Sequence, residues 1–222
     1  MQQLNDAEVS AAGTTAVGGV IYDYANAAPS HTSRYLWPTL DKVIGSDWPY
    51  ERRAFEIGCG NGATARMLLR YGFSATGIDP SESGVEIAKA NVDGARFHIA
   101  STADNLSDRF GTYPLVVSFE VLGFVLDSTL FAQRVMQLLE PGGVAVISTP
   151  YHGYLKNLTI SLTNGWDRHL DPFWCGTQVR FFSKRTFTRL WHEAGVQKIK
   201  IVRVGRVPPV AKAMIGIIYK SR

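Results

Sequence analysis

The chain has 222 residues, enough for one large domain that buries roughly 70% of its unfolded surface without a disulfide framework or a structural metal. A hydrophobic fraction of 45% and a charged fraction of 19% exclude disordered and collagen-like classes, and two cysteines, Cys59 and Cys175, exclude a stapled secreted module or a zinc cage. The net charge of +4 hides an asymmetry: from Arg180 onward eleven basic residues accompany a single acid, Glu193, whereas the first 179 residues carry twelve bases and eighteen acids.

The first thirty residues are rich in Ala, Gly and Ser. They carry Asp6 and Glu8 and no basic residue before Arg34, so the positive region of a signal peptide is missing. No apolar run approaches the ~20 residues of a membrane helix, and the expectation is a soluble, cytoplasmic protein. Ser33–Ile44 reads as a helix with Pro38 near its first turn. Residues 1–50 are expected as a helical segment over the cleft at the mouth of the sheet. Ala54–Ile57 is a short apolar strand that ends in a Gly cluster, and ATARMLLRYG is a helix closed by Gly72. Ser74–Asp79 forms the second strand, Ser81 caps a helix through Val85, Ile87, Ala88 and Ala90, and Ala95–Ala100 alternates as a third strand.

Leu115–Val121 is nearly all apolar, as suits a strand buried on both faces. Phe131–Leu139 carries a helical stripe, and Pro141-Gly142-Gly143 turns the chain into the strand Val144–Thr149. A helix over Ser183–Ala194, the strand IKIVRV and the run AMIGIIY complete the chain. Strands alternating with helices predict an α/β fold: a Rossmann-like, mostly parallel sheet with helices on both faces. The last two strands are too close for a parallel crossover and should form an antiparallel hairpin. No linker divides the pattern, so residues 1–222 are expected as a single domain. Lys198, Lys200 and Arg203 fall on a strand whose other face is apolar. Neither a DNA-binding motif nor an aromatic-interleaved basic groove accompanies them, so nucleic acid is not an expected partner.

Chemistry concentrates in FEIGCGNGATARMLL. Gly58, Gly60 and Gly62 let a ligand approach the backbone where a strand ends and a helix begins. Asp79 follows Gly58 by 21 residues, at the end of the second strand, where a carboxylate can accept both hydroxyls of a ribose. Gly58, Gly60 and Ala63 also satisfy the dinucleotide pattern, which keeps a nicotinamide-dependent oxidoreductase as an alternative. Glu56 would repel a pyrophosphate at this turn. It suits instead a ligand with an ammonium and a sulfonium, S-adenosyl-L-methionine, whose demethylated product is S-adenosyl-L-homocysteine.

EIGCGNG, GIDPS, SFEVL and LLEPGGVAVISTP together resemble the ordered motifs of the class I S-adenosylmethionine-dependent methyltransferases, from about Arg53 to the C-terminus. Among their members, the chain is similar to the small-molecule, ubiquinone-pathway O-methyltransferases. The resemblance implies a seven-stranded sheet with a reversed last strand. It also implies that Glu56, Gly58 and Gly60 hold the methionine part, with Cys59 filling the turn between them. Asp79 would bind the ribose and Pro80 would lie beside the adenine. Thr102 and Ala103 would line the adenine, and Phe119, Glu120 and Val121 would close the pocket near the sulfur. Leu122-Gly123-Phe124-Val125 departs from the family's acidic pattern, so no metal is expected. The same departure motivates a second alternative, a cofactor-binding relative without turnover.

Between the fifth strand and the next helix, residues 150–182 form a long segment expected as a cap over the substrate site. Tyr151, Tyr154, Trp166, Phe173, Trp174, Phe181 and Phe182 would wall a pocket for an apolar or ring-bearing small-molecule acceptor. Oxygen is the expected methylated atom, with carbon or nitrogen next. His152 and His169 are candidate bases, with Tyr151, Glu120 and His31 behind them, and no catalytic residue is assigned. Arg34 and Tyr35 could meet the donor's carboxylate or the acceptor.

Overall fold

The computed structural model describes residues 22–45, 47–170, 173 and 178–222. Strands β1 (Arg53–Ile57), β2 (Ser74–Asp79), β3 (Ala95–Ile99), β4 (Tyr113–Ser118), β5 (Leu139–Pro150), β6 (Lys198–Val204) and β7 (Ala213–Tyr219) form one sheet in the order β3-β2-β1-β4-β5-β7-β6. The first five run parallel, and β7 is antiparallel to both of its neighbours, β5 and β6. This is the Rossmann-like, mostly parallel sheet that the alternation predicts. The hairpin places the last strand inside the sheet and leaves β6 at its edge.

Period-two alternation sorts the strand residues onto two faces. Phe55, Ile57, Val116, Ala145, Ile147 and Met214 pack against α4 (Leu106–Phe110), α5 (Ser128–Leu138) and α8 (Lys184–Glu193) through Leu106, Phe131, Val135 and Trp191. Ala54, Leu115, Val117, Val144, Val146 and Ile215 meet α1 (Ser33–Ile44) and α2 (Ala63–Arg70) on the other face. A smaller cluster joins Val85 and Ala88 of α3 (Glu82–Asn91) to Phe97 and Cys59. Ser81 caps α3 as expected, its hydroxyl accepting from the Gly84 N–H at 3.1 Å.

Several boundaries differ from the sequence expectation. β4 stops at Ser118, because Glu120 adopts φ 57° and breaks the extended run that its apolar neighbours suggest. β5 starts at Leu139 and passes through Pro141-Gly142-Gly143. A register shift between Tyr113 and Leu115 absorbs the missing proline donor, so the triplet is a bulge within the strand and not a turn before it. The five-residue α4 is too short to show a periodicity. Helix α1 lies on the sheet face, because Leu36, Leu40 and Ile44 recur every four residues and bury there. The stretch before it, Tyr22–Ala28, crosses the mouth instead. No helix among the described residues is long and apolar enough to cross a membrane.

Candidate functional site

The Gly-rich turn is tied to β2 by two hydrogen bonds. The N–H groups of Gly58 and Cys59 both donate to the Ile78 carbonyl, at 2.8 and 2.9 Å. Gly58 and Gly60 take φ of 78° and 47°, and a Cβ on Gly58 would collide with the Val121 side chain. Asp79 accepts from the Gly60 N–H through Oδ2 and from the Ser81 N–H through Oδ1, both at 2.8 Å. Turn and acid are therefore one unit, and each carboxylate oxygen keeps a lone pair for a further donor. Burial raises the Asp79 carboxyl to about 6, against the opposing pull of those two N–H groups.

Glu56, the penultimate residue of β1, is 2% exposed. The Thr64 side chain and the Ala65 backbone hydrogen-bond to it, yet its Oε2 is buried without a partner. Burial, with Asp79 nearby, pushes its carboxyl up to about 8. An orphaned carboxylate oxygen beneath a cleft is a costly feature that a cationic ligand group would satisfy.

Beside the turn lies a slot of about 60 Å³ lined by Ile57, Gly58, Ile78, Pro80, Ala100, Ser101, Thr102, Val121, Phe124 and Val125. Its apolar walls and two hydroxyl residues suit a flat heteroaromatic ring. Of the residues singled out in the sequence, Gly58, Pro80, Thr102 and Val121 line this slot. Ala103 is exposed and is not among the lining residues, while Ser101 is. Phe119 packs with the cluster on the α1 face, and Cys59 fills space against Gly77 within the α2–α3 cluster.

The sequence reading missed the segment Tyr22–Ala28, whose Ala-rich composition gives no periodicity. Hydrogen bonds with the Gly-rich turn, α2 and the start of α3 strap it down, among them one from Ser83 Oγ to Asp23 Oδ1. Ser81 Oγ donates to the Tyr22 carbonyl, and the Tyr24 N–H donates to Ser83 Oγ. Asn61 Nδ2 donates to the Asn26 and Ala28 carbonyls, and Arg66 donates to the Ala27 carbonyl. The Tyr24 ring lies against Gly60 and Gly84, and Tyr22 meets Phe124 edge-on at 5.6 Å.

At the ends of β4 and β5, Glu120 and Ser148 form a reciprocal pair. The Glu120 N–H donates to Ser148 Oγ at 2.8 Å, and that hydroxyl donates to Glu120 Oε1 at 2.7 Å. The pair holds Glu120 in a left-handed conformation rare for a residue with a Cβ. Burial raises its carboxyl to about 7, while Ser148 and the Lys156 charge pull the other way. Lys156, on α6 (Tyr154–Leu162), donates to the Tyr151 carbonyl at 2.8 Å, and burial lowers its ammonium to about 8.

The remaining base candidates fare differently. His152 is buried, with Nδ1 3.2 Å from Asn157 Oδ1 and Nε2 3.3 Å from Gln178 Oε1. Burial lowers it to about 4, so the ring stays neutral and donates through one of these two nitrogens. His169 lies 5.5 Å from it, ring to ring, and is also lowered by burial. His31 and Arg34 are exposed, and Tyr35 packs with the cluster on the α1 face.

The expected aromatic wall is divided. Tyr151 and Phe182 join the core through an isolated parallel bridge, and Phe181 stacks edge-on against His152 at 4.9 Å. Tyr154 and Phe173 are 79% and 93% exposed, and neither α6 nor α7 (Trp166–His169) buries a residue. Trp174 and Cys175 lie outside the described residues. No group of three or more His, Cys, Asp or Glu side chains gathers in a metal-binding arrangement among the described residues.

Comparison with known proteins gives the family and the fold. The family described as Methyltransferase domain matches residues 28–201. A ubiquinone biosynthesis O-methyltransferase of Azorhizobium caulinodans is 26% identical over 136 residues, covering 54% of this chain and 53% of that protein. The chain thus spans about half the length of the curated relatives it matches. An O-methyltransferase family protein from Burkholderia thailandensis superposes with a TM-score of 0.64 at 15% identity, over 83% of this chain and 56% of that one. Haemonchus contortus phosphoethanolamine N-methyltransferase 2, solved in complex with S-adenosyl-L-methionine, superposes with a TM-score of 0.59 at 13% identity, over 84% of this chain and 53% of that one. At these identities the likeness to the solved structures is one of fold.

Proposed function

The chain belongs to the methyltransferase domain family, in its class I S-adenosylmethionine-dependent form, and from that premise we propose that it transfers a methyl group from S-adenosyl-L-methionine to a hydroxyl oxygen of a small-molecule acceptor. The observation that carries the reading is the unpartnered Oε2 of Glu56, buried beneath a Gly-rich turn that Asp79 clamps. When bound, S-adenosylmethionine supplies a methyl group on a positively charged sulfur with its leaving group already in place. Glu56 pairs with the ammonium. Asp79 accepts from the ribose hydroxyls through its remaining lone pairs. Pro80, Ser101 and Thr102 flank the adenine in the slot.

Transfer is then a matter of positioning and water exclusion. Tyr22–Ala28 covers the donor, and the described part of the segment after β5, with α6 and α7, acts as a cap over the acceptor. Glu120, with a carboxyl near 7, takes the acceptor's hydroxyl proton as the in-line displacement proceeds. The likeness to the O-methyltransferase of Azorhizobium caulinodans supports oxygen as the acceptor atom. A nicotinamide dinucleotide is disfavoured, because Glu56 would face its pyrophosphate.

The test begins with calorimetric titration of S-adenosylhomocysteine, using NADH as the control. Micromolar binding of the first alone is expected, and binding of NADH alone would overturn the reading. A panel of phenolic and catecholic acceptors, scored by product mass, then follows. Cofactor binding with no hydroxyl methylated would leave a cofactor-binding relative without turnover.

A further inference from the structure

A second cavity, of about 580 Å³, opens on the α1 face of the sheet. Its floor is Val144, Ile217 and Val202, from β5, β7 and β6. Its walls are Thr39 and Val43 of α1 with Trp48, Pro49 and Tyr50 of the following loop. Tyr219 closes one end, and Lys42 and Lys200 stand at the rim. Val144 pairs with Tyr219 at the start of the parallel run of β5, so the cavity sits toward the opposite sheet edge from the Gly-rich turn. It shares no lining residue with the adenine slot.

The cavity exists because one helix has to cover a wide face. The stripe Leu36, Leu40 and Ile44 seats α1 on the sheet, whereas β6 at the edge alternates Lys198 and Lys200 with Ile199 and Ile201. Ile199 and Ile201 turn to the α8 side, so the lysines turn to the α1 side. Lys198 Nζ lies 4.8 Å from the Tyr219 ring centroid, which places a third ammonium at the closed end. No Asp or Glu is among the described lining residues. Part of the basic excess after Arg180 is thus focused on an apolar, aromatic-walled space.

We propose that this cavity is a second binding site, distinct from the methyl-transfer site, for a small apolar anion such as an aromatic carboxylate or sulfonate. Three features set that class. The volume falls in the range of small-molecule pockets, roughly 300–1,000 Å³. The floor and the rings of Trp48, Tyr50 and Tyr219 reward an apolar body. The rim carries Lys42 and Lys200 with no carboxylate among the described lining residues, so an anion gains and a cation is repelled. Trp48 donates its indole N–H to the Glu51 carbonyl at 3.2 Å, which fixes the ring as a wall.

The probe is anilinonaphthalene sulfonate, followed by fluorescence titration and by energy transfer from tryptophan. Its uncharged counterpart, phenylnaphthylamine, serves as the control. One sulfonate per chain is expected, with the uncharged analogue at least tenfold weaker. The Lys42→Gln/Lys200→Gln double variant should bind the sulfonate at least tenfold more weakly, with S-adenosylhomocysteine affinity unchanged. Both lysines are exposed, so the variant should fold, and its melting curve checks this. A Val202→Trp variant, which fills the cavity, should abolish binding without touching the rim charge. Three results would overturn the proposal: no binding by the wild type, equal binding by the double variant, or a dimer in sedimentation whose formation excludes the probe. The last would mean that a second copy of the chain covers this face.

Discussion

Tyr24 stands over Gly60 so closely that a Cβ on the glycine would collide with the phenol oxygen. The same ring packs on Gly84, and burial together with the charge of Asp79 pushes the phenol's ionisation far upward, so it remains a neutral plug. It sits between the turn and the N-terminus of α3, where the donor's ribose and methionine would have to pass. The slot beyond it measures about 60 Å³. Entry of the donor therefore requires Tyr22–Ala28 to lift. Tyr24→Ala should raise the association rate constant of S-adenosylhomocysteine several-fold in stopped-flow measurements, because a larger fraction of molecules is open at any moment. An unchanged association rate would show that the ring is not in the path.

Asp79 holds the Gly60 and Ser81 N–H groups, and in the proposed reading it also presents lone pairs to the ribose. Asp79→Asn keeps one acceptor oxygen and places an amide where the second stood. Losing a charge-assisted acceptor costs about 1–3 kcal/mol, which corresponds to a drop in donor affinity of between about fivefold and a hundredfold. Calorimetry with S-adenosylhomocysteine measures it directly. Affinity equal to wild type would remove Asp79 from the ribose site.

Burial of Glu56 should make the protein less stable as pH rises. Its carboxyl moves from an ordinary 4.5 to about 8 in the folded chain, so the folded state keeps a proton that the unfolded chain has released. That contribution is whole below about pH 4.5 and is lost as pH climbs through 8, with a slope reaching about 1.4 kcal/mol per pH unit. Asp79 adds a loss of the same sign, finished near pH 6. Thermal melts should therefore show a melting temperature that falls between pH 6 and 8. Glu56→Gln should flatten that interval, and saturating S-adenosylhomocysteine should weaken the fall by pairing its ammonium with the carboxylate. Parallel wild-type and variant curves would show that Glu56 does not titrate in the fold.

What the sequence disclosed was governed by period and spacing. Val116 and Val117, or Ala145 and Val146, alternate between two buried faces, so their strands read as apolar runs. Gly58, Gly60 and Asp79 carry a backbone requirement and a charge at fixed separation, which points to a ligand before any fold is known. Tyr22 and Tyr24 offered no such signal, because their role comes from hydrogen bonds to residues about sixty positions away. The cap misled for a related reason. Aromatic content alone does not distinguish Tyr151 and Phe182, drawn into the core by a bridge, from Tyr154, left in solvent. Glu120 was read as a strand residue, since nothing in SFEVL announces a left-handed backbone.

That backbone makes Glu120 the residue whose chemistry can be tested most sharply. A base with a carboxyl near 7 is protonated below that value and active above it. With a hydroxyl acceptor, kcat/KM should climb about tenfold per pH unit below 7 and level off above it. Glu120→Gln should remove this limb and lower the rate by about 10²–10⁴-fold, while S-adenosylhomocysteine affinity stays within a factor of about two. Ser148 supplies the discriminating variant. Its hydroxyl donates to Oε1 and favours the carboxylate, so Ser148→Ala should shift the limb to higher pH and leave the high-pH plateau lower only to the extent that Glu120 loses its alignment. A purely structural role for the pair would change stability and rate together at every pH without moving the limb. A limb that stays in place in Ser148→Ala, or survives in Glu120→Gln, would assign the proton to another group.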